Sequence, residues 1–282
     1  MSVHLGFDMG IRNLAFCLLE HKEDKKWNIL SWNNIDLLEG GTAAQDAKRC
    51  VACASPAKWV GKVDGKKWCN ACATRTRVKK AAKEKPELPT IPCKLSVVEL
   101  RKLSGVKGSK ADMIAWAETR YLVPWKPVKA MDSSLGTILA ALDKWLDSVL
   151  PTFAAATLIR LENQPVMKGP TMKSVQMILY TLLSHRLRKE HGWSGRIEFV
   201  HAGVKTRGPK ADSVKGIDAV PAVGAEAAKD DGKAYRARKA SAEAETVRQL
   251  TESGASEWLT YFNSRSKKSD LADAFLMALR AP

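Results

Sequence analysis

Apolar positions follow two rhythms along this chain, separated by a long stretch that keeps neither. Val3-His4-Leu5-Gly6-Phe7-Asp8 and Leu14-Ala15-Phe16-Cys17-Leu18-Leu19 are short apolar runs joined by Met9-Gly10-Ile11-Arg12-Asn13. Runs of that length, broken by glycine, predict strands linked by a tight turn. Trp27-Asn28-Ile29-Leu30-Ser31-Trp32 predicts a third strand after the polar turn His21-Lys22-Glu23-Asp24, and connections this short make the three an antiparallel meander. The pattern breaks at Gly40-Gly41 and returns at Met131. From Ser133 to Val149, the residues Leu135, Ile138, Leu139, Leu142, Trp145, Leu146 and Val149 recur at helical spacing, and Pro151 is expected to end the helix. Ala155 to Leu161 predicts a buried strand, running into Glu162-Asn163-Gln164-Pro165. Lys173 to Lys189 predicts a long helix with an apolar face broad enough for both core and subunit contact, and Arg196 to His201 a fifth strand. Residues 203–232, rich in Gly, Pro, Ala and charge, predict a mobile loop or insertion over the site, with Lys205 in it. Helices are expected over Tyr235–Leu250 and Lys267–Leu279, the latter capped by Ser269 or Asp270.

The intervening stretch, 42–130, has a different character. It carries Cys50-x2-Cys53 and Cys69-x2-Cys72, with 15 residues between the pairs. In a reducing compartment this spacing predicts a structural zinc site on four thiolates rather than two disulfides. The segment Trp59 to Trp68 predicts a hairpin turning at Asp64-Gly65. A basic run follows, Arg75-Thr76-Arg77-Val78-Lys79-Lys80, and then Pro86, Pro89 and Pro92 mark a stiff linker around the idle Cys93. Two short helices come next, over Leu95–Leu103 and Ser109–Ala117, each with a capping box: Ser96 with Glu99, and Ser109 with Asp112.

Charge sharpens this division. The 282 residues carry a net +16, and 42–130 alone holds 20 Lys and Arg against 7 Asp and Glu, a net +13. Charge concentrated in this way favours a polyanionic partner such as nucleic acid. Arg75 and Arg77, with Lys107 and Lys110 at the helical hairpin, are the candidate phosphate contacts there. No run of apolar residues is long enough for a membrane span. The first strand begins by residue 3, so an intracellular protein without signal or transit peptide is expected, in the nucleus or in a viral replication compartment in the cytoplasm.

Four acids stand out in the remainder. Asp8 and Glu162 each end an apolar strand, where an ionised carboxylate costs desolvation energy unless a cation compensates it. Asp270 and Asp273 are three apart on the last helix and face the same way. Such oxygen ligands suit Mg²⁺ or Mn²⁺, and two such ions about 4 Å apart activate a water and stabilise the leaving oxygen of a phosphodiester.

Several stretches resemble known families. Trp68-Cys69-Asn70-Ala71-Cys72 is similar to GATA-type treble-clef fingers. The Leu95-x-Val97-x-Glu99-Leu100-Arg101 opening and the second helix with Lys110-Ala111-Asp112-Met113-Ile114 resemble a SAP motif, a helical hairpin that binds duplex DNA. Asp8-x-Gly10-x-Arg12-Asn13-Leu14-Ala15, Glu162-Asn163-Gln164-Pro165 and Lys267-Lys268-x-Asp270-x-x-Asp273-Ala274 resemble the poxvirus-type and fungal mitochondrial Holliday-junction resolvases, which are related to the bacterial crossover-junction resolvase. The resemblance implies an α/β RNase H-like fold, with a mixed five-stranded sheet flanked by helices and the first and fourth strands side by side. It implies a homodimer that cuts a four-way junction with paired symmetric nicks, using two Mg²⁺ or Mn²⁺ ions per site on Asp8, Glu162, Asp270 and Asp273. Gly10, Arg12, Gln164, Lys267 and Lys268 become candidates for holding the DNA strand. The expected organisation is a nuclease core of 1–41 and 131–282, interrupted by a zinc-binding insert with a basic linker (42–93) and a SAP-like DNA-binding insert (94–130). The alternatives are an RNase H-like nuclease acting on another branched or hybrid substrate, and a non-catalytic DNA-binding protein.

Overall fold

The computed structural model describes residues 2–43, 48–74, 90, 96–164, 170–200 and 231–280. They fall into two compact units: Met1–Ala44 with Ser133–Pro282, and Gln45–Asp132. Arg75, Arg77, Cys93, the proline linker and Lys205 lie outside the described residues. So does the 203–232 stretch, except that residues 231 and 232 already belong to the next helix.

In chain order the first unit opens with strands β1 (Ser2–Asp8), β2 (Leu14–His21), β3 (Trp27–Asp36) and the two-residue β4 (Thr42–Ala43). The second unit contributes β5 (Trp59–Val60), β6 (Lys67–Trp68), helices α1 (Asn70–Ala73), α2 (Val97–Ser104) and α3 (Lys110–Glu118), and β7 (Val123–Pro124). The first unit resumes with α4 (Leu135–Phe153), β8 (Leu158–Glu162), α5 (Pro170–His191), β9 (Arg196–Val200), α6 (Asp231–Glu252), α7 (Ser256–Ser264) and α8 (Lys268–Leu279).

The sheet of the first unit runs β4-β3-β2-β1-β8-β9, five long strands and a short edge. The meander pairs are antiparallel, while β8 is parallel to β1 and β9 to β8. Alternation along the strands divides the core in two. Phe7 and Phe16 point to one face, where their rings lie 5.7 and 5.1 Å from that of Phe153 in α4. Ala15, Cys17 and Trp32 point to the other, in a cluster with Ala242 of α6, Phe262 of α7 and Phe275 of α8. Burial on both faces is why β1 and β2 are almost continuously apolar rather than alternating. Gly6 sits where α8 crosses β1. A Cβ there would fall on the Ala274 carbonyl oxygen and within 2.8 Å of the Ala278 nitrogen, so only glycine allows this approach.

Four local expectations change. α4 does not stop at Pro151 but runs on to Phe153, because burying that ring against Phe7 and Phe16 outweighs the ladder bond proline cannot make. α8 is entered from Lys267 without a side-chain cap, so Ser269 and Asp270 lie inside its first turn. In α5 the fully buried apolar residues are Val175, Leu179, Leu183 and Leu187, an i, i+4 stripe narrower than the broad face expected, and Met177 is exposed. Helix α7 has no counterpart in the sequence reading.

In the second unit, β5 and β6 form the expected hairpin with Gly65 at φ +67°, and β7 adds to the free edge of β5. Trp68 and Leu122 are buried with the cysteines. Both capping boxes are present, and Leu100, Met113 and Ala117 close the α2–α3 hairpin. Among the described residues no helix is long and apolar enough to cross a membrane.

Candidate active site and metal centre

The β1–β8 register sets Phe7 beside Leu161, and Asp8 and Glu162 are the next residues, each the last of its strand. Both belong to the face covered by α8. His4 and Gly6 contact α8, and Asp8 follows at the same period of two. Arg160 donates to the Met277 carbonyl, and Glu162 follows it likewise. His4 meets Ala278, whereas Gly6 meets Ala274 and Ala278, so the start of α8 lies toward Asp8. That start carries Asp270 and Asp273. The ends of β1 and β8 and the start of α8 therefore lie toward the same end of the sheet.

Their surroundings were only partly visible in the sequence. Lys239, delivered by α6 and not singled out beforehand, places Nζ 3.1 Å from Asp270 Oδ1 and 3.1 Å from Ser269 Oγ. Ser269 Oγ also donates to Asp270 Oδ1. Gln164 Nε2 donates to Glu162 Oε2 at 2.9 Å, so Gln164 orders the carboxylate beside it. Lys173 Nζ donates to Asn163 Oδ1 and Gln176 Oε1, each at 3.0 Å, and lies 5.3 Å from the Phe199 ring centroid.

The other strand-holding candidates have structural work as well. Arg12 pairs with Asp36 and reaches toward Glu39. Asp36 is fully buried; desolvation pushes its carboxyl up from the ordinary range, and the Arg12 guanidinium opposes that rise. A Cβ on Gly10 would strike the Asn13 carbonyl, so the turn itself requires glycine. Lys268 donates to Asn263 Oδ1 at 3.2 Å, while Lys267 is exposed. Lys107 and Lys110 are exposed at the turn of the α2–α3 hairpin.

The thiols are drawn together more tightly than the acids. Cys50, Cys53, Cys69 and Cys72 hold their sulfurs within 4.8 Å of one another, and Cys53 Sγ lies 3.5 Å from both Cys69 Sγ and Cys72 Sγ. A tetrahedral Zn²⁺ at about 2.3 Å from each sulfur needs S···S spacings of about 3.8 Å, and a disulfide would bring two of them to about 2 Å. The cluster fits a metal ion, and all four thiols are free. Local backbone builds it. Ala54 at φ +57° turns the chain so that its N–H reaches the Cys50 carbonyl at 2.9 Å, and the Cys72 N–H donates to Cys69 Sγ at 3.4 Å. Hydrogen bonds from Ser55 bring the Cys53 thiol down to about 6, while burial holds Cys69 and Cys72 above the usual thiol range. A bound cation reverses that penalty by favouring the thiolates. Among the described residues this is the group of three or more His, Cys, Asp and Glu side chains close enough to hold one ion. Asp8, Glu162, Asp270 and Asp273 are not drawn to that spacing.

The chain is thus a mixed α/β protein with a cluster of four cysteines close enough to hold a metal ion. No protein-family model matches it, and a search of the curated proteins finds no relative. Among solved structures, it is similar to the yeast mitochondrial Holliday junction resolvase Ydc2, with a TM-score of 0.43 and 14% identity, covering 99% of this chain and 78% of that one.

Proposed function

We propose that this protein is a metal-dependent, structure-selective DNA endonuclease that resolves four-way junctions by paired symmetric nicks, with a nuclease core of the RNase H-like type. The observation that supports this reading is the β1–β8 register, which pairs Phe7 with Leu161 immediately before Asp8 and Glu162, together with the crossing of β1 by α8, the helix whose first half carries Asp270 and Asp273. These four residues would hold Mg²⁺ or Mn²⁺, their oxygen donors matching such ions. When bound, the ions supply an activated water and stabilise the leaving oxygen of the phosphodiester. The chain's own residues set the geometry. Gln164 fixes one Glu162 oxygen, Ser269 and Lys239 orient Asp270, and the close packing at Gly6 fixes how far α8 stands from β1. Lys239 also balances part of the Asp270 charge.

The thiolate cluster would carry a structural zinc ion, giving the small second unit a core it otherwise lacks. The exposed Lys107 and Lys110 on the α2–α3 hairpin, together with the basic excess of 42–130, would supply phosphate contacts. A homodimer follows from the symmetric cut, since two sites related by a twofold axis make two equivalent nicks.

The test is cleavage of a labelled four-way junction with Mg²⁺ or Mn²⁺, in competition with flap, RNA–DNA hybrid and plain duplex. Asp8→Asn is expected to lower cleavage by at least about a hundredfold while junction binding persists. Cleavage that survives Asp8→Asn would remove the site assignment, and preference for the hybrid would move the substrate class.

A further inference from the structure

Lys173 is held in an unusual way. It is half-buried at the start of α5, and the groups that hold it are neutral: the amide oxygens of Asn163 and Gln176 at 3.0 Å and the face of Phe199 at 5.3 Å. No carboxylate pairs with it among the described residues. A partly desolvated ammonium without a paired carboxylate is costly, and here three neutral groups hold it.

Gln176 shows the cost of this arrangement. It is fully buried, and its Oε1 accepts from both Lys173 Nζ and the Gln164 N–H. Both neighbours are donors, so the oxygen must face them. The Nε2 that results is buried with no partner, a penalty normally avoided. One buried amide is therefore committed to orienting a lysine and the Glu162-Asn163-Gln164 turn together. Asn163 is tied to the sheet end by its own N–H, which donates to the Val200 carbonyl at 2.8 Å. Two of the three ammonium hydrogens are used, leaving one donor. The start of a long helix adds positive potential at the same place.

We propose that Lys173 is a phosphate-holding residue, whose ammonium takes a backbone phosphate of the DNA strand lying along the Glu162 edge. This rests on the DNA-nuclease reading and adds the group that seats the strand beside the carboxylates. Lys173 is a positioning residue and does not touch the reacting atoms.

The experiment is fluorescence anisotropy of a labelled four-way junction with the zinc-loaded full chain, without added Mg²⁺ or Mn²⁺, across 50–300 mM KCl. The variants are Lys173→Met, Lys173→Arg and Asn163→Asp, and a melting temperature is taken for each. Lys173→Met should weaken binding about three- to tenfold at 100 mM salt and reduce the slope of log K against log[salt] by about 1. Asn163→Asp should do the same while keeping the lysine in place, because it adds the missing counter-charge. Lys173→Arg should keep the parent slope. If Lys173→Met fails to fold, Asn163→Asp decides. Parent-like binding and slope in Asn163→Asp, or in a folded Lys173→Met, would overturn the inference and leave the nuclease reading standing. Equal losses in Lys173→Arg and Lys173→Met would also overturn it, by showing a packing role. A parent chain that binds no junction would overturn both.

Discussion

His4 and His21 both direct a ring nitrogen at the Ala278 carbonyl near the end of α8, at 3.2 and 3.0 Å, with ring centroids 4.2 Å apart. Burial, together with repulsion from His21 and Arg160, brings the His4 imidazole down from 6.5 to about 4; the Ala278 hydrogen bond and Glu198 oppose the shift. A histidine with a lowered folded value is protonated more readily in the unfolded chain. Its contribution is therefore intact above pH 6.5 and lost as pH falls from 6.5 toward about 4. The full difference is about 3 kcal/mol, and by linkage about 2 kcal/mol of it is gone at pH 5. With a urea slope of about 2 kcal/mol per molar, the midpoint should drop by about 1 M between pH 7.5 and pH 5 from this group alone. Other groups titrate in that range, and any metal ion held by the thiolates would be released as they protonate. The quantity to measure is therefore the difference between wild type and His4→Gln, which can still donate to Ala278 but does not titrate. Urea unfolding of both chains, followed by tryptophan fluorescence at half-unit pH steps, should show the Gln variant losing about 2 kcal/mol less over the same interval. Parallel pH profiles in the two chains would refute the reasoning.

Other outcomes follow from the packing. Gly6→Ala should destabilise the first unit by about 1–3 kcal/mol by overpacking and reduce cleavage with it, because α8 must move off β1; a urea melt and the junction assay read the two effects. Arg12→Ala strands the buried Asp36 and should cost about 3–5 kcal/mol, while Arg12→Ala with Asp36→Asn should recover part of that loss in the same melt. Chelation or Cys72→Ser should remove one zinc per chain by elemental analysis and lower the melting of the second unit, while the pH response tied to His4 stays unchanged.

The parts of the fold legible in the sequence were those whose signal is local. The meander showed as short apolar runs, the two hairpin helices as Ser-to-acid capping boxes, and the cysteine pairs as spacing. What escaped depended on partners far away in the chain. β7 is only Val123–Pro124, and nothing marks it except its pairing with Trp59–Val60. α4 passes Pro151 because Phe7 and Phe16, over a hundred residues earlier, accept Phe153. Asp8 and Glu162 stood out because carboxylates that end apolar strands are expensive, and both do end their strands. Lys239, Gln176 and Asn163 were not, since a lysine or amide on a helix or turn gives no sign of what it will face. Arg12 illustrates the reverse, a residue marked by the resemblance whose visible role is to neutralise Asp36.

The interruption of the first unit also orders its assembly. β1 pairs with residues 158–161, and α8 returns to His4 from position 278, so this sheet closes through contacts that span most of the sequence. Such loops are slow to close. The second unit is complete within Gln45–Asp132 and closes over short distances around its thiols. During synthesis it can fold while β1–β3 still wait for β8. A ribosome that stalls before Lys268 would therefore release a chain with a finished second unit and a sheet still missing α8; on the proposed function, such a chain would keep its phosphate contacts and lack two of its four acids.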